Sequence, residues 1–139
     1  MALEESPEHV VMDHARKVDP ADIGSLFIDL DDFATFTDDA ATVIIGPRGD
    51  LCSVVIWHLE PGQENDYHYH PANEHLQYVI EGEIEWTLAD HPPRTLRPGM
   101  AVIVPAGTPH GIRNMSGARA RYVALTSGGK VEKILVERP

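Results

Sequence analysis

The sequence of 139 residues predicts a single all-β domain of the antiparallel jelly-roll type. Short apolar runs follow one another at near-even spacing, and 11 Gly and 11 Pro supply the turns between them. No stretch repeats its apolar residues at the spacing of an amphipathic helix. A chain of this length has room for one domain with a core of ordinary size.

The predicted strands begin at residue 42. The first two are joined by a Gly-Pro-Arg-Gly turn at residues 46–49 and form a hairpin. A later strand alternates cleanly, with Ile84, Trp86 and Leu88 on the inner face and acids between them. The strands that we predict cover residues 42–45, 51–60, 75–81, 83–88, 100–104, 120–126 and 131–136.

Charge is distributed unevenly along the chain. Residues 1–40 hold eleven acids against Arg16 and Lys17, and so carry nine of the eleven net negative charges. Such a segment favours solvation over burial. We therefore predict a partly ordered acidic arm over residues 1–40 and one barrel domain over residues 41–139.

Composition also excludes several classes of partner. A net charge of -11 without a cluster of Lys and Arg argues against nucleic acid. No apolar run approaches the roughly 20 residues that span a bilayer, and the amino terminus lacks a signal pattern. A single Cys52 excludes an internal disulfide and fits a reducing compartment. We expect a cytoplasmic protein.

Histidines mark the candidate site. His68 and His70 are two residues apart, so both imidazoles project from one face if the segment is a strand. His75 opens the next predicted strand, and His110 follows a Pro-x-Gly turn in a second stretch. Clustered neutral imidazoles are a plausible set of ligands for a divalent transition metal.

These two stretches resemble the two motifs of the cupin family. The first motif is Gly, five residues, His-x-His, three or four residues, Glu, six residues and Gly; the second is Gly, five residues, Pro-x-Gly, two residues, His, three residues and Asn. The positions that match are Gly62, His68, His70 and Gly82 in the first motif, and Gly99, Pro105, Gly107, His110 and Asn114 in the second. Two motifs in order make chance agreement improbable.

The sequence departs from the cupin pattern at one position. His75 stands where the family usually carries a glutamate ligand, and Glu74 lies one residue earlier with the opposite strand parity. Some cupins have metal sites built only of histidines. We therefore predict the ligands His68, His70, His75 and His110. The alternative is a bulge in the turn at residues 71–73 that lets Glu74 bind the metal.

The resemblance to cupins implies a jelly-roll barrel, a homodimer, and one divalent transition metal per chain, which could be Fe, Mn, Zn, Ni or Cu. It favours a dioxygenase that acts on a small chelating substrate such as an enolised diketone or a phenol. One alternative is a metal-dependent cyclase or isomerase of the polyketide-cyclase type. The other is a cupin that binds a small molecule without catalysis.

Two residues are candidates for proton transfer or substrate orientation. Gln77 shares strand parity with His75, so it should face the pocket, whereas Glu74 acts as a general base or lies at the rim. His9 and His14 are far from the motifs and are given no role. His58 is interpreted as a rim or interface residue. The residues predicted to make the pocket apolar are Trp57, Val79, Val102 and Ile112.

Overall fold

A computed structural model describes residues 9–128 and 131–139 as an almost entirely β structure. Eleven strands lie in this described part of the chain. They are β1 (His9–Asp13), β2 (Ala41–Arg48), β3 (Cys52–Leu59), β4 (Glu64–Tyr69), β5 (His75–Glu81), β6 (Ile84–Leu88), β7 (Arg94–Leu96), β8 (Ala101–Val104), β9 (His110–Arg113), β10 (Ala120–Ser127) and β11 (Ile134–Leu135).

The strands form two sheets. The larger sheet has the order β1-β2-β3-β10-β5-β8, and the smaller one has the order β11-β4-β9-β6-β7. All neighbours pair antiparallel except β1 and β2, which are parallel. From β3 onward the chain passes back and forth between the sheets, except at the β6–β7 hairpin, as in a jelly roll. The predicted all-β jelly-roll class is therefore confirmed.

Large apolar side chains from both sheets fill the space between them. Ile84 and Trp86 of β6 are buried, as the alternation of that strand predicts. The ring of Trp86 meets Tyr122 of β10 edge-on at 5.1 Å between centroids, and Tyr122 stacks on Trp57 at 6.1 Å. Aromatic pairs of this geometry add about 0.5–1.5 kcal/mol beyond the area that they bury.

The acidic amino-terminal segment packs against the barrel from residue 9 onward. Strand β1 extends the larger sheet beside β2, and two short 3-10 helices follow at Ile23–Leu26 and Leu30–Phe33. Leu30 and Phe33 pack on a small apolar cluster on the outer side of that sheet. Residues 1–8, which the predicted arm also covers, lie outside the described residues. No helix in the described ranges has the length and hydropathy to cross a bilayer.

His58 differs from its expected place at the rim. Its side chain is fully buried, its Nδ1 lies 3.3 Å from the carbonyl oxygen of Thr42, and Phe36 meets its ring edge-on at 5.2 Å. Burial lowers the pKa of His58 to about 4, so the imidazole is neutral at pH 7. His58 is a core residue of the larger sheet because Phe36, from the amino-terminal segment, covers that face.

Apolar side chains also remain on the outer face of the larger sheet. Leu76 and Tyr78 of β5, Ile103 of β8 and Leu125 of β10 are all exposed by more than a third. The strand register places Leu76 opposite both Ile103 and Leu125. The homodimer expected from the family resemblance stays a prediction.

The glycine that ends the first motif is required for close packing. Gly82 has a φ of +74°, and a Cβ at this position would lie 2.4 Å from the carbonyl oxygen of Arg119. Gly99, which opens the second motif, has a φ of +93° but open space around its Cα. The two glycines thus share a backbone conformation and differ in their surroundings.

We predict that Gly82→Ala destabilises the protein more than Gly99→Ala. Both substitutions force an L side chain into positive φ, at a cost of about 1–2 kcal/mol. Gly82→Ala adds a clash with backbone, for which overpacking costs about a further 1–3 kcal/mol. Denaturant unfolding of the two variants measures the difference. Equal losses of unfolding free energy would contradict this account.

Candidate metal centre

Both sheets supply the candidate ligands. His68 lies in β4 and His110 opens β9, and the register of these neighbouring strands places the two residues directly opposite each other. His70 follows β4, and His75 is the first residue of β5 in the other sheet. All four imidazoles are buried. The prediction that His75 opens a strand is confirmed, and the four histidines lie together between the sheets.

Three of the imidazoles have the spacing of a metal site. One ring nitrogen from each of His68, His70 and His110 lies within 4.8 Å of the other two. The Nε2 atoms of His68 and His70 are 3.1 Å apart, and the rings of His68 and His110 are 4.2 Å apart between centroids. Such an arrangement is suited to one ion bound by several imidazoles.

His75 lies beside this group of three. Its ring centroid is 4.2 Å from that of His70 and 6.2 Å from that of His110. Strand β10 is its neighbour, and the register pairs His75 with Thr126, whose Oγ1 lies 2.9 Å from His75 Nδ1. The fourth ligand position assigned to His75 stays a prediction, and this hydrogen bond supports it by directing Nε2 inward.

The Nδ1 atoms of all four rings have hydrogen-bond partners outside the cluster. His68 Nδ1 bonds the carbonyl of Asp66, His110 Nδ1 bonds that of Thr108 at 3.0 Å, and His70 Nδ1 bonds that of Glu132 at 2.6 Å. A carbonyl accepts only from a protonated nitrogen, so these contacts place the proton on Nδ1 and leave the lone pair on Nε2.

The Nε2 atoms of His75 and His110 are buried and have no hydrogen-bond partner among the described residues. Unpartnered buried nitrogens are unfavourable, and a bound metal ion would satisfy both. The residues present therefore fit a divalent transition metal held through Nε2.

The electrostatics of the cluster keep the imidazoles neutral. Burial is the main cause that lowers the pKa of His75 to about 3 and that of His110 to about 4, and the neighbouring imidazoles contribute to both shifts. The pKa of His68 is also well below its usual value, chiefly through burial and then through the proximity of His110. Neutral imidazoles at pH 7 have the lone pairs that a metal requires.

Glu74 lies outside the cluster. Its side chain is exposed, whereas the side chains of Asn73 and His75 on either side of it are buried. The backbone N–H and carbonyl of Glu74 both bond Ser127, so this residue joins β5 to the end of β10. The turn at residues 71–73 therefore has no bulge that directs the Glu74 carboxylate toward the histidines. Glu74 faces solvent.

Gln77 faces the cavity, as its strand parity predicts. Its Oε1 accepts a hydrogen bond of 2.6 Å from Trp86 Nε1. The indole nitrogen can only donate, so this contact fixes which end of the Gln77 amide faces Trp86. The amide NH₂ group is left for the cavity that Gln77 lines.

A cavity of about 330 Å³ adjoins the histidines. Trp57 lines it as predicted, together with Val43 and Val55. The other residues predicted to line the pocket are absent from the described lining: Val79 and Ile112 belong to the core cluster, and Val102 packs against it. The apolar character of the cavity thus comes mostly from β2 and β3.

Among the polar residues that line the cavity, His9, Asn65 and Lys133 were not predicted from the sequence. His9 was given no role, yet its side chain is only 3% exposed, and its ring meets Trp57 edge-on at 4.8 Å. Each residue reaches the cavity through long-range strand pairing, which no local pattern reports. The one local signal was the predicted last strand, which places Lys133 in an ordered segment.

The chain belongs to the cupin family. The family described as Cupin domain matches residues 55–126, which include both histidine motifs. A solved structure from Klebsiella pneumoniae, described as an uncharacterized conserved protein with a double-stranded β-helix domain, has the same fold at a TM-score of 0.74. It is 25% identical, and the alignment covers 81% of this chain and 92% of that one.

Two curated proteins are similar over part of their length. Dimethylsulfoniopropionate lyase DddQ of Ruegeria pomeroyi is 35% identical over 78 residues, covering 53% of this chain and 38% of the lyase. Polyketide synthase CurC of Streptomyces cyaneus is 35% identical over 81 residues, covering 58% of this chain and 51% of CurC. The chain therefore spans about half or less of these relatives.

We predict that His75→Ala removes bound metal about as strongly as His68→Ala, because both variants lose a neutral Nε2 ligand. Glu74→Ala is the matched control and should keep the metal content of the unmodified protein, since Glu74 is exposed. Metal analysis after desalting measures all three. If His75→Ala retained its metal, the site would contain only the three histidines at metal-binding distance.

Proposed function

We propose that this cupin is a metalloenzyme in which one divalent transition metal activates a small organic substrate through its oxygen atoms. The observation that carries the proposal is the direction of the imidazoles. The Nδ1 atoms of all four rings bond groups outside the cluster, and ring nitrogens of His68, His70 and His110 lie within 4.8 Å of one another beside a cavity. A cavity of about 330 Å³ is at the lower end of the range for small-molecule sites.

When bound, the metal would supply Lewis acidity toward a carbonyl, enolate or phenolate oxygen. His68, His70, His75 and His110 would hold it. Because these ligands are neutral, they would leave the full charge of the ion available to the substrate. The apolar walls formed by Val43, Val55 and Trp57 would lower the polarity around a bound substrate and so strengthen electrostatic interactions there.

Gln77 is the residue that we assign to substrate orientation. Its amide is held by Trp86, so the NH₂ group can donate to a substrate oxygen without first reorganising. Glu74 is exposed and does not line the cavity, so we assign it no part in proton transfer. In this proposal, a second group of the substrate or a water molecule transfers the proton.

The names of the relatives favour a reaction that does not consume dioxygen. DddQ is named a lyase and CurC a polyketide synthase, and neither name describes an oxygenase. We therefore place the Lewis-acid reaction, an enolisation, elimination or cyclisation, ahead of the dioxygenase that the sequence analysis favoured. The dioxygenase stays a prediction that the same experiment tests.

The experiment uses protein purified without a metal-affinity tag and loaded separately with Zn(II), Mn(II) or Fe(II). Deuterium exchange at the carbon between the carbonyls of a panel of 1,3-diketones is followed by NMR, with oxygen uptake recorded in parallel. We expect exchange above the uncatalysed rate that is lost in His110→Ala. Oxygen uptake that depends on substrate and iron would establish an oxygenase. Neither activity in metal-loaded protein would favour a binding module.

We predict that Gln77→Leu lowers turnover on the order of 100-fold, the typical effect of removing one donor to a developing oxyanion. Metal content should be unchanged, because the Nδ1 atoms of the four histidines bond groups other than Gln77. Gln77→Glu retains the acceptor for Trp86 but removes the NH₂ donors, so it should lose turnover to a similar extent. Full activity in both variants would show that Gln77 has no role in the reaction.

A further inference from the structure

Lys133 gives the cavity a second polar region, separate from the histidines. It precedes β11, which pairs with the end of β4 beside His68, and so the carboxyl-terminal segment carries it to the site. Its Nζ lies 5.4 Å from the centroid of the Trp57 ring. Among the described residues that line the cavity, Lys133 is the only Lys or Arg, and none is Asp or Glu.

The ammonium group of Lys133 is held in place from one side. Nζ donates to Asn65 Oδ1 at 2.9 Å, and the Asn65 amide in turn donates to the hydroxyl of Tyr122 at 2.9 Å. Lysine can only donate, so this chain of contacts fixes the Asn65 amide with its oxygen toward Nζ. The position of the charge is therefore set by the core residue Tyr122, which is completely buried.

No carboxylate of the described residues forms a salt bridge with Lys133; the nearby Asp66 raises its pKa from a distance and lies 3.7 Å from His9 Nε2 instead. An ammonium has three donors, and Asn65 takes one of them. None of the salt bridges among the described residues includes Lys133. Burial lowers the pKa of Lys133 to about 8, so the group is still mostly charged at pH 7. A partly buried cation without an anion in direct contact is costly.

A bound divalent metal would add to the uncompensated positive charge of the cavity. Four neutral imidazoles leave a divalent ion its two positive charges, and Lys133 adds a third to a cavity without a carboxylate in its described lining. An anionic ligand would satisfy both regions. The apolar surface between them, formed by Val43, Val55 and Trp57, would contact the body of such a ligand.

We propose that Lys133 forms an anion subsite that selects small organic carboxylates, with the carboxylate at Nζ and another oxygen of the substrate directed to the histidine cluster. This inference rests on the proposed function for its second half. A carboxylate fits better than a phosphate ester because one ammonium supplies the subsite, whereas phosphates are usually held by several donors.

The test compares benzoate with benzyl alcohol, which has the same ring without the charge. Isothermal titration calorimetry of the zinc-loaded protein should give a dissociation constant at least tenfold lower for benzoate. In Lys133→Met, which keeps a long apolar side chain beside Trp57, the preference should fall below threefold. Lys133→Arg should restore most of it. Lys17→Met, at an exposed lysine paired with Asp50, is the control and should keep the full preference.

The variants also separate this subsite from the metal. If the metal held the carboxylate, Lys133→Met would keep the preference for benzoate, and the proposal would be overturned. It would likewise be overturned if the unmodified protein did not distinguish the two ligands. Titrations of the same two ligands after EDTA treatment show whether the preference for benzoate requires a bound metal.

A preference that depends on Lys133 in a chain unable to bind zinc would support the anion subsite and reject the metalloenzyme. A chain that binds zinc but shows no preference dependent on Lys133 would reject the subsite and leave the metal centre in place. The melting temperature of each variant shows whether a changed preference comes from an unfolded protein.

Discussion

The site depends on hydrogen bonds that turn four imidazoles the same way. Each Nδ1 bonds a backbone carbonyl or the hydroxyl of Thr126, and each Nε2 is thereby directed toward the interior. These partners come from four different parts of the chain, so the cluster forms only when both sheets are in register. The fold thus determines the position of each ring and, for the three rings bonded to carbonyls, the protonated nitrogen.

Motif residues that bind no metal maintain this register. Asn114 donates to the carbonyls of Leu59 and Ala118, and its backbone bonds Gly62 and Gln63, which ties the end of β9 to the start of β4. The N–H of Gly107 donates to the carbonyl of His70, which ties the turn before His110 to the loop after β4. The two sequence motifs are therefore joined by hydrogen bonds at both ends.

Much of the site could be predicted from local sequence, because it follows strand parity. The alternation of β5 places His75 and Gln77 inside and Glu74 outside, and the structure agrees for all three. The spacing of His68 and His70 was informative for the same reason. The apolar walls were harder to predict, since Val79 and Ile112 point into a core that is continuous with the cavity.

The residues that sequence reasoning missed reach the cavity through pairing between distant strands. His9 arrives by the parallel pairing of β1 with β2, and Lys133 by the pairing of β11 with β4. Neither pairing can be predicted from the local pattern of residues. His58 was misplaced for a related reason, because its cover comes from Phe36 in a segment that composition alone describes as acidic and solvated.

Anomalous diffraction at the zinc edge, from crystals of zinc-loaded protein, would show whether the four imidazoles converge on one ion. We expect one peak per chain, at about 2.0–2.1 Å from the Nε2 atoms of His68, His70, His75 and His110. A peak bound through Nδ1 atoms, or one that includes the carboxylate of Glu74, would contradict this expectation.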